Sequence, residues 1–139
     1  MVRQAVRSDP RFEVSTVELG RDGPSYMVDT VRALRGSLPD AELFLILGAD
    51  QVRDFPTWRE PEQIVRDVRL AVMDREGESA RKLARGVPGG DRAVLVPVRR
   101  VDVSSTQIRD AVHGGASPGD RVPPGVAAII EREGLYSAS

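Results

Sequence analysis

Apolar positions fall in short blocks that alternate between strand-like and helix-like spacing. RFEVSTVEL (Arg11 to Leu19) sets Phe12, Val14, Thr16 and the adjoining Val17 among polar residues, the pattern of a half-buried strand. GRDGP (Gly20 to Pro24) marks a turn. In SYMVDTVRALRGSLP, Val28, Val31, Leu34 and Leu38 recur at near-helical spacing, with Ser25 as the expected N-cap. ELFLILGAD (Glu42 to Asp50) is a continuous apolar run ending in glycine, as expected of a strand buried on both faces of a parallel sheet. PEQIVRDV (Pro61 to Val68) predicts a short helix with proline in its first turn. RLAVMD (Arg69 to Asp74) predicts a second buried strand, and AVLVPVRRVDV (Ala93 to Val103) a third with an extended exit. Between them, REGESARKLARGVPGGD is polar and Gly-rich, with a short helix expected around Ala80 to Ala84. SSTQIRDAVHGG reads as a helix stopped by glycines, and VPPGVAAIIEREGLY as a last helix with Pro near its start and Gly134 near its end.

Strand–helix alternation with apolar strands argues for an α/β fold with a parallel sheet. In such sheets ligands bind beyond the carboxyl ends of the strands. The unusual residues lie there: GADQVRDFPTW follows one strand, DREG another and DVSSTQIR a third. The 139 residues are read as one domain, residues 1–139, large enough to bury a core. A net charge of −1 gives no reason to expect a nucleic-acid or membrane surface. With no cysteine, disulfides and thiolate metal sites are excluded, which accords with a reducing compartment. No apolar run approaches the roughly 20 residues that span a bilayer. The opening MVRQAVRSDP is too polar for a secretory leader, so the expected setting is cytoplasmic.

Three stretches carry candidate chemistry, each with a plainer reading beside it. In SSTQIR, a helix start would leave backbone N–H groups free for an anion, with hydroxyls adding donors and Arg109 reaching a phosphate. The plainer reading is a helix capped by Ser104 or Ser105, and for the stretch taken alone it is the commoner arrangement. In GADQVRDFPTW, Gly48 allows close backbone approach, Asp50 can accept a hydroxyl, and Trp58, the only tryptophan, can stack on a planar ring. Packing of Trp58 and capping by Asp50 are the alternatives. In GPSYMVDT, the first turns of a helix carry Tyr26, Asp29 and Thr30, and an ordinary capped amphipathic helix explains them equally. His113, the sole histidine, sits at a helix end where its charge is favourable without chemistry.

In this order, FEVSTVELGRDGPSYMVDTVRAL, LFLILGADQVRDFPTWREPEQI, RLAVMDREG, VDVSSTQIRDAV and VPPGVAAIIEREGLY resemble the bacterial nicotinate-nucleotide adenylyltransferase family from Arg11 to Tyr136. SSTQIR alone is shared with related nucleotidyltransferases, whereas the GPSY segment with GAD and the downstream Phe and Trp is more particular. The resemblance implies a Rossmann-like nucleotidyltransferase sheet with flanking helices. It implies transfer of AMP from ATP to nicotinate mononucleotide, giving deamido-NAD and pyrophosphate. It implies ATP contacts from Gly48, Asp50, Arg75, Ser104, Ser105, Thr106 and Arg109. Tyr26, Asp29, Thr30, Phe55 and Trp58 would line the nicotinate mononucleotide pocket, and magnesium (Mg2+) would arrive on the phosphates without a carboxylate cage.

The chain also departs from the family's pattern. The family begins with a strand, a Gly-rich turn and a histidine pair that stabilises the phosphates in the transition state. MVRQAVRSDPRFEVS instead resembles the middle of the family's second helix, so the expectation is a late start or a truncated copy. Losing one transition-state donor typically costs roughly 10²–10³ in rate. Met27 stands where the family usually has threonine, and a thioether is only a weak acceptor. Without central strands, the sheet is expected to expose an edge and an apolar face, so that the chain pairs differently, self-associates or is unstable. A non-catalytic nucleotide-binding remnant and an adenylyltransferase for another acceptor, such as phosphopantetheine, are the rival functions.

Overall fold

The computed structural model describes residues 1–74, 78–99 and 101–137. The chain divides into two units, Thr16–Arg100 and Met1–Ser15 together with Val101–Ser139.

The larger unit holds a three-stranded parallel sheet in the order β1-β2-β3, formed by β1 (Leu43–Leu47), β2 (Val68–Asp74) and β3 (Val94–Pro97). The register sets Leu45 beside Leu70 and Val72 beside Leu95. Parallel neighbours need crossovers, and helices supply them. Ahead of the sheet runs α2 (Met27–Ser37); between β1 and β2 come α3 (Ala49–Asp54), a single 3-10 turn (Phe55–Thr57) and α4 (Pro61–Asp67). Between β2 and β3 lies α5 (Glu78–Arg85). Proline opens α4 as expected, since the first helical N–H needs no partner. The core gathers Val28 and Val31 of α2, Leu47 of β1, Val52 of α3, Phe55, Ile64 of α4, and Leu70 and Val72 of β2. Arg35 fastens the end of α2: its guanidinium donates to the carbonyls of Ala41 at 2.6 Å and Asp67 at 2.5 Å.

Several sequence expectations change here. RFEVSTVEL forms no strand. Its amides serve local turns instead, Phe12 N–H to Asp9 O at 3.2 Å and Leu19 N–H to Thr16 O at 2.9 Å, and both side chains are exposed. An alternating pattern makes a strand only where a neighbouring strand takes its hydrogen bonds. The run LFLIL is a strand but not one buried on both faces. Leu43 and Leu45 pack toward the core, whereas Phe44 and Ile46 remain 45% and 62% exposed. β1 is an edge strand among the described residues, covered on one side only. The stretch after it is helical, α3 and the 3-10 turn continuing from Gly48. The N-cap of α2 is Tyr26, without a side-chain cap, rather than Ser25. The third strand is shorter than expected, ending at Pro97.

The smaller unit contains α1 (Val2–Ala5), α6 (Ser105–His113) and α7 (Pro124–Arg132). Val112, Val126 and Ile130 form its core, with Ala5, Val122 and Leu135 packed against them. Gly114 caps α6, and Gly115 follows in a left-handed conformation (φ +83), the predicted glycine stop. Gly134 turns the chain after α7 at φ +60. Asp9 accepts from the guanidinium and the backbone N–H of Arg11, which holds its carboxyl below the usual carboxylate range.

Candidate active site

At the start of α6, Ser104 is extended (φ −121, ψ 149), as an N-cap must be. Its Oγ accepts from Gln107 N–H at 3.1 Å, and its own N–H donates to Gln107 Oε1 at 3.1 Å. This reciprocal capping box leaves the N–H groups of Ser105 and Thr106 without intrahelical acceptors. Arg109 lies one turn on, and its Nη2 donates to Thr106 Oγ1 at 3.3 Å. Ser104, Ser105, Thr106 and Arg109 are all exposed. The geometry therefore unites the two readings of SSTQIR: the serine caps the helix, and the capped turn presents free amides, hydroxyls and a guanidinium on one helix end. Such a set favours an anion.

The larger unit holds the remaining sequence-predicted residues, apart from Arg75, which lies outside the described residues. Gly48 precedes α3 with ordinary backbone angles (φ −81, ψ 168), and its N–H donates to Gln51 Oε1 at 2.9 Å. A Cβ there would meet Met73 Cε at 3.5 Å, ordinary contact, so the fold itself does not require glycine at this position. Asp50 projects outward with its side chain 93% exposed, ion-paired with Arg53 one turn on. Phe55 is fully buried and meets Trp58 edge-on, ring centroids 5.3 Å apart at 64°. Trp58 is half-buried, one part packed on the core.

Tyr26 and Asp29 approach this aromatic step from α2. The Arg59 guanidinium stacks over the Tyr26 ring, 4.6 Å from its centroid. Arg32 donates to Asp29 Oδ1 at 3.3 Å and to Glu60 Oε2 at 2.5 Å. Thr30 points elsewhere. It is buried, its hydroxyl donating to Glu18 Oε1 at 2.6 Å and accepting from Arg21 Nη1 at 3.0 Å. Its one donor and one of its two acceptor lone pairs are thereby used. The structure thus brings Tyr26, Asp29 and Trp58 into one neighbourhood, and puts Phe55 beneath it rather than on its surface. Arg32, Arg59 and Glu60 join that neighbourhood unannounced by the sequence pattern. Arg32 is an ordinary surface charge on a predicted helix, Arg59 and Glu60 lie just ahead of another, and the left-handed backbone of Glu60 (φ 52, ψ 55) is not legible from a glutamate.

Residues 1–111 match the family described as Cytidylyltransferase-like. Over 98% of its length the chain is 42% identical to a Thermus thermophilus protein named "Probable nicotinate-nucleotide adenylyltransferase", of which it covers 70%. The chain belongs to the nicotinate-nucleotide adenylyltransferase family. A Corynebacterium kroppenstedtii relative of the same name is 39% identical across the whole chain, which covers 65% of that relative. Across the similar curated relatives, the chain spans 61% to 70% of their length. A solved structure of the Plasmodium falciparum nicotinic acid mononucleotide adenylyltransferase complexed with APC shares the fold at a TM-score of 0.63 and 18% identity, covering 83% of this chain and 60% of that one. The same enzyme complexed with NaAD gives 0.62. The family's Rossmann-like nucleotidyltransferase sheet is therefore the frame in which β1, β2 and β3 stand.

Proposed function

We propose that this chain is the nucleotide-handling part of a nicotinate mononucleotide adenylyltransferase. It would bind ATP, carried with magnesium, and nicotinate mononucleotide. The observation that carries this reading is the 42% identity to a relative of that name over 136 residues, 98% of the chain. In the reaction, an oxygen of the nicotinate mononucleotide phosphate attacks the α-phosphorus of ATP. The bond to the β-phosphate oxygen breaks and pyrophosphate leaves with that oxygen, giving deamido-NAD. This chain's residues contribute chiefly positioning and charge neutralisation. The free amides of Ser105 and Thr106, the hydroxyls around them and Arg109 hold ATP phosphates. Gly48 and Asp50 serve the adenosine side. Trp58 offers its open face to the nicotinate ring, with Tyr26 and Asp29 beside it. Phe55 supports Trp58 from the core. We assign Thr30 to fixing the segment around Glu18 and Arg21 against α2. The expected compartment is the cytoplasm, in keeping with the cysteine-free composition.

Calorimetric titration tests the reading directly. ATP and nicotinate mononucleotide are each expected to bind, and Arg109→Ala to weaken ATP while leaving nicotinate mononucleotide unchanged. A pyrophosphate-release assay comparing nicotinate mononucleotide with phosphopantetheine identifies the acceptor. Absence of binding by both nucleotides overturns the proposal.

A further inference from the structure

We infer that Arg32 and Glu60 are positioning residues, which latch the turn carrying Trp58 onto the first turns of α2. This rests on the reading of Trp58 as the platform for the acceptor's ring. Phe55, buried in the core, anchors the turn on one side, and its carbonyl accepts from Trp58 N–H at 3.1 Å. On the other side α4 anchors it, the Glu60 carbonyl accepting from Gln63 and Ile64 N–H at 3.0 and 3.1 Å. Between these anchors the side chains of residues 58–60 reach across to α2. Glu60 Oε2 meets Arg32 at 2.5 Å, and Arg32 also bridges to Asp29. Arg59 lies 3.7 Å from Glu60 Oε1 and stacks on Tyr26. The contacts therefore run Asp29–Arg32–Glu60–Arg59–Tyr26, beginning on α2 and ending at its N-cap, and they tie the residues that follow Trp58 to that helix.

The backbone of Glu60 adds an independent observation. Its φ of 52 lies in the left-handed region, where a side chain is strained and glycine is not. A carboxylate occupies a position where glycine would be conformationally cheaper, and that carboxylate is engaged by two arginines. Its expected role is to hold the orientation of Trp58, without contacting reacting atoms.

Trp58 is the sole tryptophan, so its fluorescence reports on the turn alone. Acrylamide quenching of the ligand-free protein is compared for wild type, Arg32→Gln, Glu60→Gln, Glu60→Gly and the Arg32→Gln/Glu60→Gln double variant. The latch predicts a larger quenching constant in each single variant, and no further rise in the double. Glu60→Gly should match Glu60→Gln, because losing the carboxylate outweighs relieving the backbone. Nicotinate mononucleotide, titrated against the same signal, should bind about 2- to 5-fold more weakly, the range an exposed ion pair can carry. Unchanged quenching in both Glu60 variants overturns the latch, as do single effects that simply add. A wild-type signal indifferent to nicotinate mononucleotide overturns the acceptor reading of Trp58 and the latch's role in binding. The ligand-free quenching still decides whether the latch exists.

Discussion

Phe55→Ala separates two accounts of an aromatic residue in the candidate site. Resemblance assigns Phe55 to the wall of the nicotinate mononucleotide pocket; the structure buries it completely, among Val52, Ile64 and the inner face of the sheet. Truncating a fully buried phenylalanine costs about 3–5 kcal/mol in lost transfer energy and cavity. Part of that is its edge-on contact with Trp58, since such aromatic pairs contribute about 0.5–1.5 kcal/mol beyond area. A domain of this size has roughly 5–15 kcal/mol to lose, so the alanine variant is expected to be severely weakened. Phe55→Leu keeps most of the apolar volume and is expected to cost less than the alanine, about 1–2 kcal/mol, which keeps the measurement within range. Urea unfolding followed by far-ultraviolet circular dichroism reads both, independent of the changed tryptophan environment. In parallel, the leucine variant should keep nicotinate mononucleotide affinity within about 3-fold, because the support of Trp58 is loosened but not removed. The reasoning is refuted if Phe55→Ala costs less than about 1 kcal/mol while affinity for nicotinate mononucleotide falls tenfold or more. That result would describe a pocket wall rather than a core residue.

Gly90→Ala drives a Cβ to 1.6 Å from the Ala84 carbonyl oxygen, a backbone atom that cannot swing aside, so urea unfolding should show a loss of about 1–3 kcal/mol or more. Gly20→Ala, where nothing lies within 4 Å, should be neutral within about 0.5 kcal/mol in the same assay. Ile46→Lys, at a side chain 62% exposed on the open face of β1, should also leave unfolding nearly unchanged. It should lower concentration-dependent light scattering, because a charge on an exposed edge strand opposes association; unchanged scattering would remove β1 as the source of any self-association.

What the sequence made legible was local chemistry. Val28 and Val31 at helical spacing do face the core from α2. Pro61 does open a helix, and the glycines after His113 do stop one. RLAVMD is the central strand: Val68, Leu70 and Val72 join the core, and Ala71, with a strand on either edge, is buried as well. What was not legible depended on partners elsewhere in the chain. LFLIL is as apolar as RLAVMD, yet Phe44 and Ile46 are exposed, because burial of a strand's second face is decided by what packs on it. RFEVSTVEL carries a strand's alternation without a strand's pairing, and a period alone cannot supply the hydrogen bonds of a neighbour.

The candidate site divides along the same line. SSTQIR could be read because a capping box is written within four consecutive residues, Ser104 to Gln107, and the open amides that follow are a property of any helix start. GADQVRDFPTW and GPSYMVDT could be located but not apportioned. Nothing in the sequence distinguishes Phe55, which is packed inward, from Trp58, three residues on, which keeps a face outward. Nothing distinguishes Asp29, on the exposed side of α2, from Thr30, whose hydroxyl is engaged by Glu18 and Arg21. In each pair the two residues share a motif but point to different sides of the same short element, and a few residues of turn decide which side is which. Roles carried over by motif are therefore safest where the motif's own backbone makes the site, as at Ser104. They are least safe where adjacent side chains are divided between a core and a surface, as at Phe55 and Trp58.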